Sequence, residues 1–282
     1  MTRFQSAAAL TLWLSLLGLT GCENTVTTHF DPLSISGRTG SAPDIGYDGT
    51  MHIAAAARST GDYSNAVNLY RHAAKLDPQN PEPLVALGDT LLIIGKPDEA
   101  ILNYNAALKL NAKDISALRG LAKAYLKTGR PDLAASPLAV AYQQTPNDPK
   151  LLLLIGVADD FIGQHANAQA RYQQGLRYAP ADQSLLLNLA LSLALSERYD
   201  QAIATLQPLT YAPTATPADR QTLALIYGLK GDEKNARALA SRDLDTSAVD
   251  HNLAFYDTLR RLPPAARTRA ILSASAASRP QS

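Results

Sequence analysis

The chain predicts an all-α fold, a solenoid of six helix pairs closed by a C-terminal capping helix, and three observations carry that reading. Ala66, Ala100, Ala134, Ala168, Ala202 and Ala236 recur once every 34 residues without a slip. Gly61, Gly95, Gly129, Gly163 and Gly231 keep the same interval. The other apolar positions recur with helical spacing, so Tyr47 to Asp250 divides into six units of 34 residues.

The second unit, Pro81 to Asp114, states the pattern most fully. Leu84, Leu87, Gly88 and Leu91 form one helical stripe, and Ala100, Tyr104, Ala107 and Leu110 form another, with Gly95 and Pro97 between them. Pro97 fits a first helical turn, where its missing N–H has no partner to lose, and Asp98 favours the positive end of the helix dipole. Small residues at 88, 100 and 107 suit helices that cross too closely for a longer side chain. The unit is therefore an antiparallel helix pair.

This pattern resembles the tetratricopeptide repeat and is matched throughout. The first unit carries Ile53, Ala54, Gly61, Ala66, Tyr70, Ala73 and Pro78, and the third carries Leu118, Leu121, Ala122, Tyr125, Gly129, Ala134, Ala141 and Pro146. In the fourth, Leu152, Ile155, Gly156, Gly163, Ala168, Tyr172 and Pro180 hold the register, with Asp159 where an apolar residue is usual. The fifth keeps Leu186, Leu189, Ala190 and Ala202 but has Glu197 in place of the turn glycine. The sixth keeps Leu223, Ala224, Tyr227, Gly231 and Ala236, and puts Asp243 at a small-residue position, as a terminal unit would.

The two ends read differently. Arg3 precedes an apolar run of 13 residues, Ala7 to Leu19, which is short of the ~20 that cross a bilayer and is therefore read as a signal peptide over 1–21. Leu19-Thr20-Gly21-Cys22 resembles the bacterial lipobox, which implies acylation of Cys22, the sole cysteine. That lone cysteine excludes an internal disulfide. Glu23, by the same resemblance, favours the periplasmic face of the outer membrane over the inner membrane, and several acyl chains would anchor the protein durably. Residues 22–46, rich in Thr, Ser, Gly and Pro, read as a flexible tether with a reach of roughly 25–30 Å. Beyond the units, His251 to Leu262 reads as the capping helix, with Leu253, Phe255, Tyr256 and Leu259 apolar; Pro263 and Pro264 stop it, and 263–282 reads as disordered.

Charge excludes several function classes. The chain holds 26 Lys plus Arg against 25 Asp plus Glu, so loss of Arg3 with the signal leaves an even balance and no basic footprint for nucleic acid. His29, His52, His72, His165 and His251 are scattered without ligand spacing, which predicts surface or packing roles and no metal site. Asp159 and Asp160 are adjacent, but neighbouring helical positions diverge by about 100°, so the two do not converge as an acid/base pair. Either they are solvated or they make a polar groove contact. No phosphate loop or nucleophile constellation is present, and the sequence predicts neither an enzyme nor a cofactor.

Function is expected on the concave face, which in this repeat class is built by the first helix of each unit. There the fourth to sixth units project Leu153, Val157, Phe161, Leu187, Leu191, Leu195, Leu225 and Leu229, an apolar groove. The third unit projects Arg119, Lys123 and Lys127, and the second Glu82, Val85, Asp89, Leu92 and Ile93. An apolar floor with a basic step suits an amphipathic helix or extended segment of a partner protein. The alternative is that these leucines pack the superhelix or are covered by the chain's own tail.

Lipobox, tether, repeats and the ending that contains Asp243-Leu244 and Asn252-Leu253-Ala254-Phe255-Tyr256 together resemble the TadD family of Flp (tight-adherence) pilus assembly lipoproteins. The resemblance implies a non-catalytic assembly factor or pilotin, acting on pilus or secretin components. The alternative is a periplasmic scaffold for another cell-envelope complex, such as one of cell-wall synthesis.

Overall fold

A computed structural model describes residues 46–277, and every element in that span is an α-helix. The expected signal peptide, the acylated Cys22 and the tether as far as residue 45 lie outside the described residues, as do residues 278–282. The helices fall into two bodies.

The first body ends at Asp114 and holds α1 (Tyr47–Ser59), α2 (Tyr63–Leu76), α3 (Glu82–Ile93) and α4 (Pro97–Leu110). They pair as α1 with α2 and α3 with α4, and α2 packs on α3. The second body begins at Ile115 with α5 (Ile115–Lys127), α6 (Pro131–Gln144), α7 (Pro149–Phe161), α8 (His165–Tyr178), α9 (Gln183–Leu195) and α10 (Tyr199–Thr210). It continues through α11 (Pro217–Lys230), α12 (Glu233–Ala240), α13 (Thr246–Arg261) and α14 (Pro264–Ala277). Four pairs, α5 to α12, follow one another; each second helix packs on the first helix of the next unit, and the first helices α5, α7, α9 and α11 touch in series. That series defines one face of the second body.

The 34-residue alternation works as the spacing requires. All six alanines of the series are fully buried. Each turn glycine of the series, at 61, 95, 129, 163 and 231, takes a positive φ. In the fifth unit Glu197 occupies that left-handed position itself, with φ 61°. Aspartates cap many of the helices: the side chains of Asp62, Asp148, Asp182, Asp232 and Asp245 each accept an N–H of the following first turn. Thr216 and Asp219 form a reciprocal capping box at the start of α11.

Tyrosines fill the space above small residues of the first helices. Tyr104 stacks over Gly88 and Tyr172 over Gly156, so closely that a Cβ at either glycine would strike the ring. The sixth unit has Ala240 where those tyrosines stand, and α12 is short, 8 residues. In the next helix Tyr256 of α13 lies over Gly228, one turn beyond Ala224, the counterpart of Gly88 and Gly156.

Two boundaries at the C-terminal end differ from the sequence reading. The capping helix begins at Thr246 rather than His251, because Asp245 caps it by accepting the Ala248 N–H at 2.8 Å. The expected disordered segment from 263 is instead helical from Pro264 to Ala277. Pro264 suits a first helical position, the run of alanines has high helix propensity, and Ile271 and Leu272 are buried.

Candidate functional site

One repeat register generates the candidate surface. Stepping by 34 residues, Arg119 becomes Leu153 and Leu187; Lys123 becomes Val157, Leu191 and Leu225; Lys127 becomes Phe161, Leu195 and Leu229. The structure brings these side chains onto α5, α7, α9 and α11, the helices that touch in series. The same register thus passes from cationic in the third unit to aliphatic in the next three.

The open apolar groove expected in those units is corrected by their burial. Leu153, Val157, Leu187, Leu191, Leu195 and Leu225 are each at most 5% exposed. Phe161 is half-buried, as are Arg119 and Lys123. Helix α14 packs against α7 and α9, the helices that carry five of these six residues; Leu225 lies on α11. The aliphatic register predicted by the periodicity is present, and it is buried.

A buried arginine fixes the entry of α14. The Arg267 guanidinium donates through Nε to the Leu259 carbonyl at 3.1 Å, and through Nη2 to the carbonyls of Arg260 and Leu262 at 3.3 and 3.4 Å. These are the end carbonyls of α13, the negative pole of its dipole. Nη1 reaches the Glu197 carboxylate at 3.1 Å, which ties the α13–α14 junction to the end of α9. Glu197 stands where other units have the turn glycine, and so puts a carboxylate at that corner.

Beneath α14 lies a polar cluster. Asp160, buried, accepts from Tyr172 Oη at 2.8 Å and Ser192 Oγ at 2.7 Å, and His165 Nδ1 is 2.7 Å from its Oδ1. Thr268 Oγ1 of α14 lies 3.5 Å from the far nitrogen of His165. Burial pushes the Asp160 carboxyl up, and the hydrogen bonds from His165, Ser192 and Tyr172 oppose that shift. The pair of aspartates therefore divides: Asp160 is a saturated interior acceptor, while Asp159 stays half-exposed. Ser192 Oγ donates to the carboxylate and not to the imidazole ring, so the cluster does not form a nucleophile–base pair. It holds α7, α8, α9 and α14 in one network.

Elsewhere the polar residues of the first helices are engaged locally. Arg119 Nη1 donates to Asp148, the cap of α7, at 2.8 Å. In the first body Asp89 accepts from Tyr104 Oη at 2.6 Å, and Glu82 from Tyr47 Oη at 3.2 Å; burial with the Glu82 charge pushes the Tyr47 hydroxyl up to about 12. Val85 and Leu92 are buried and Ile93 is exposed.

Among the described residues, no group of three or more His, Cys, Asp or Glu could hold a metal ion, and no helix is long and apolar enough to cross a membrane. Arg267, Thr268 and the role of His165 were not readable from the sequence, since nothing local marks which distant helix a tail will cover.

Paired helices in a 34-residue register, with aliphatic residues on the face of the first helices, define a helical-repeat scaffold. Residues 85–149 and 154–215 match the tetratricopeptide repeat, and residues 56–95 match a TPR repeat family; the chain belongs to the tetratricopeptide-repeat proteins. Cellulose synthase operon protein C of Xanthomonas axonopodis pv. citri (strain 306) is 30% identical over 223 residues, 76% of this chain and 14% of that protein. The BBSome complex member BBS4 of Bos taurus is 29% identical over 158 residues, 56% of this chain and 30% of that one. The chain thus spans less than a third of the length of either relative. Among solved structures, PilW, a widely conserved type IV pilus biogenesis factor, superposes with TM-score 0.66 at 16% identity, covering 76% of this chain and 99% of that one. PilF of Pseudomonas aeruginosa superposes with TM-score 0.60 at 17% identity, over 74% of this chain and 97% of that one. These two likenesses speak for the fold.

Proposed function

We propose that the chain is a non-catalytic protein-binding lipoprotein, held by acylated Cys22 at the periplasmic face of the outer membrane, that serves as an assembly factor or pilotin for an Flp/Tad-type pilus secretion machine. The observation that carries the protein-binding part is the aliphatic register on α7, α9 and α11, a face that already accommodates a helix. A face of this kind binds by apolar burial, and the neighbouring cations Arg119 and Lys123 set orientation and association rate. The pilus assignment is supported by the lipobox and the ending shared with the TadD family, and by the fold of two pilus proteins.

The partner class is a protein component of the pilus machine, the secretin first. The test is affinity capture of the tagged, lipidated chain from envelopes that contain the Flp secretin. Recovery of the secretin with the wild type, and weaker, more salt-sensitive recovery with Lys123→Glu, is expected; recovery no better than from untagged envelopes counts against the assignment.

A second reading, a scaffold for another envelope complex, draws on the 30% identity to a cellulose synthase operon protein. It expects capture of a polysaccharide-machine component instead of the secretin.

A further inference from the structure

We propose that the face of α7 and α9 is a binding site for a helical segment of a partner protein that carries an arginine four residues ahead of an aliphatic pair, and that α14 is the built-in occupant such a segment displaces. This rests on the protein-binding reading above and adds to it the pattern recognised and the way the site is kept closed.

The position of α14 is the first observation. Helix α13 continues the stack by packing on α11 and α12, as the first helix of a further unit would. The next helix does not complete that unit. It runs back to α7 and α9, the first helices of the fourth and fifth units, three and two units earlier. A helix outside the repeat that lies on the repeat's ligand face behaves as a ligand supplied in the same chain.

How α14 is held is the second observation. Its described buried side chains are Arg267, Thr268, Ile271 and Leu272. Arg267 enters a cation site made of three carbonyls at the end of α13 and the Glu197 carboxylate. Ile271 and Leu272, one turn on, supply the aliphatic contact. Among the residues of α14 whose side chains are described, Ile271 and Leu272 are the buried aliphatic pair. Removing α14 would leave the end carbonyls of α13 and Glu197 without their guanidinium, and the aliphatic register without cover. A segment with Arg-x-x-x-Ile-Leu spacing restores both.

The short junction, Leu262 and Pro263, explains why the site stays closed. A helix tethered so closely competes at an effective concentration on the order of millimolar. If the site is open about 1% of the time, the apparent affinity of an incoming segment falls about 100-fold. The partner is therefore captured only where it is concentrated, or where α14 is drawn away.

The test uses the full chain and a fluorescent peptide of residues 263–277 as the probe. Fluorescence anisotropy compares the wild type with an Arg267→Ala, Ile271→Asp, Leu272→Asp variant, in which the chain's own arginine and aliphatic pair are both removed. The variant is expected to bind the peptide at least about tenfold more tightly than the wild type, and neither should bind a peptide carrying Arg267→Ala. Equal binding by both proteins, or binding that ignores the arginine, overturns the proposal. Should the variant lose its helical circular dichroism, hydrogen exchange on the wild type decides. Amides of α14 exchanging at least about tenfold faster than those of α7 and α9 fit a displaceable helix, and equal protection excludes one. No pilus component enters either measurement, so peptide binding without secretin capture would overturn only the pilus assignment, and secretin capture without peptide binding only this proposal.

Discussion

Glu197 shows how a single residue sets the C-terminal arrangement. Its left-handed φ costs roughly 1–2 kcal/mol for a non-glycine residue, and its carboxylate, 61% exposed, gains from Arg267 about 0–1 kcal/mol. Glu197→Gly relieves the strain but adds roughly 0.4–1 kcal/mol of unfolded-chain entropy, so thermal stability should stay within about 1.5 kcal/mol of wild type while α14 loosens; a larger fall would show that the Arg267 contact is the larger effect. Asp243 makes the opposite case. Expected only as a terminal unit's departure at a small-residue position, it has a partner in Arg220, which donates to it through Nε at 2.8 Å and through Nη2. Those bonds hold the Asp243 carboxyl below the usual aspartate range. A lowered folded-state value means that the contribution is complete above the unfolded pKa and is lost as pH falls through the folded one. Asp243→Asn should cost about 1–3 kcal/mol at pH 7, and the difference from wild type should shrink on acidification below the ordinary aspartate range, as urea titrations at a series of pH values would report. A gap that widens with acid would contradict the pairing.

At the scale of the helix, the buried alanine series determines how closely neighbours cross. Ala100 in α4 and Ala202 in α10 are fully buried, and leucine at either should cost about 1–3 kcal/mol by overpacking. Unchanged thermal melts of both variants would remove the alanines from that role. Gly156 is subject to a harder limit, since a Cβ there meets the Tyr172 ring. Helices whose identity rests on a repeated local pattern were legible in the sequence for this reason: six copies of one register leave little freedom in phase. Helix α14 was not legible. Its Ala, Ser and Arg content carries no apolar stripe, and its only aliphatic pair becomes meaningful through contact with helices about a hundred residues earlier. The same limit explains the site, where the register located Leu153, Val157, Leu187 and Leu191 on the face of the first helices but said nothing of what covers them. Asp160 was equally hidden, because its three partners lie on α8 and α9, up to 32 residues away in the chain.

For the whole molecule, the proposed function joins a lipid anchor at Cys22 to a helical binding array. Cys22→Ser should release the chain from membranes and leave the melting of the repeats unchanged, because Cys22 lies outside the helical repeats; a mutant that remains in the membrane fraction would remove the lipoprotein assignment. The claim on which the rest depends is that this array binds a component of an Flp-type pilus machine. Its most direct measurement is recovery of the Flp secretin with the tagged full chain from detergent-solubilised envelopes, beside the Lys123→Glu and the Arg267→Ala, Ile271→Asp, Leu272→Asp variants. The account predicts that the secretin is recovered with the wild type, less with the charge reversal, and more with the variant whose α14 is released. Equal background recovery from all three, with each protein folded and membrane-bound, would contradict it.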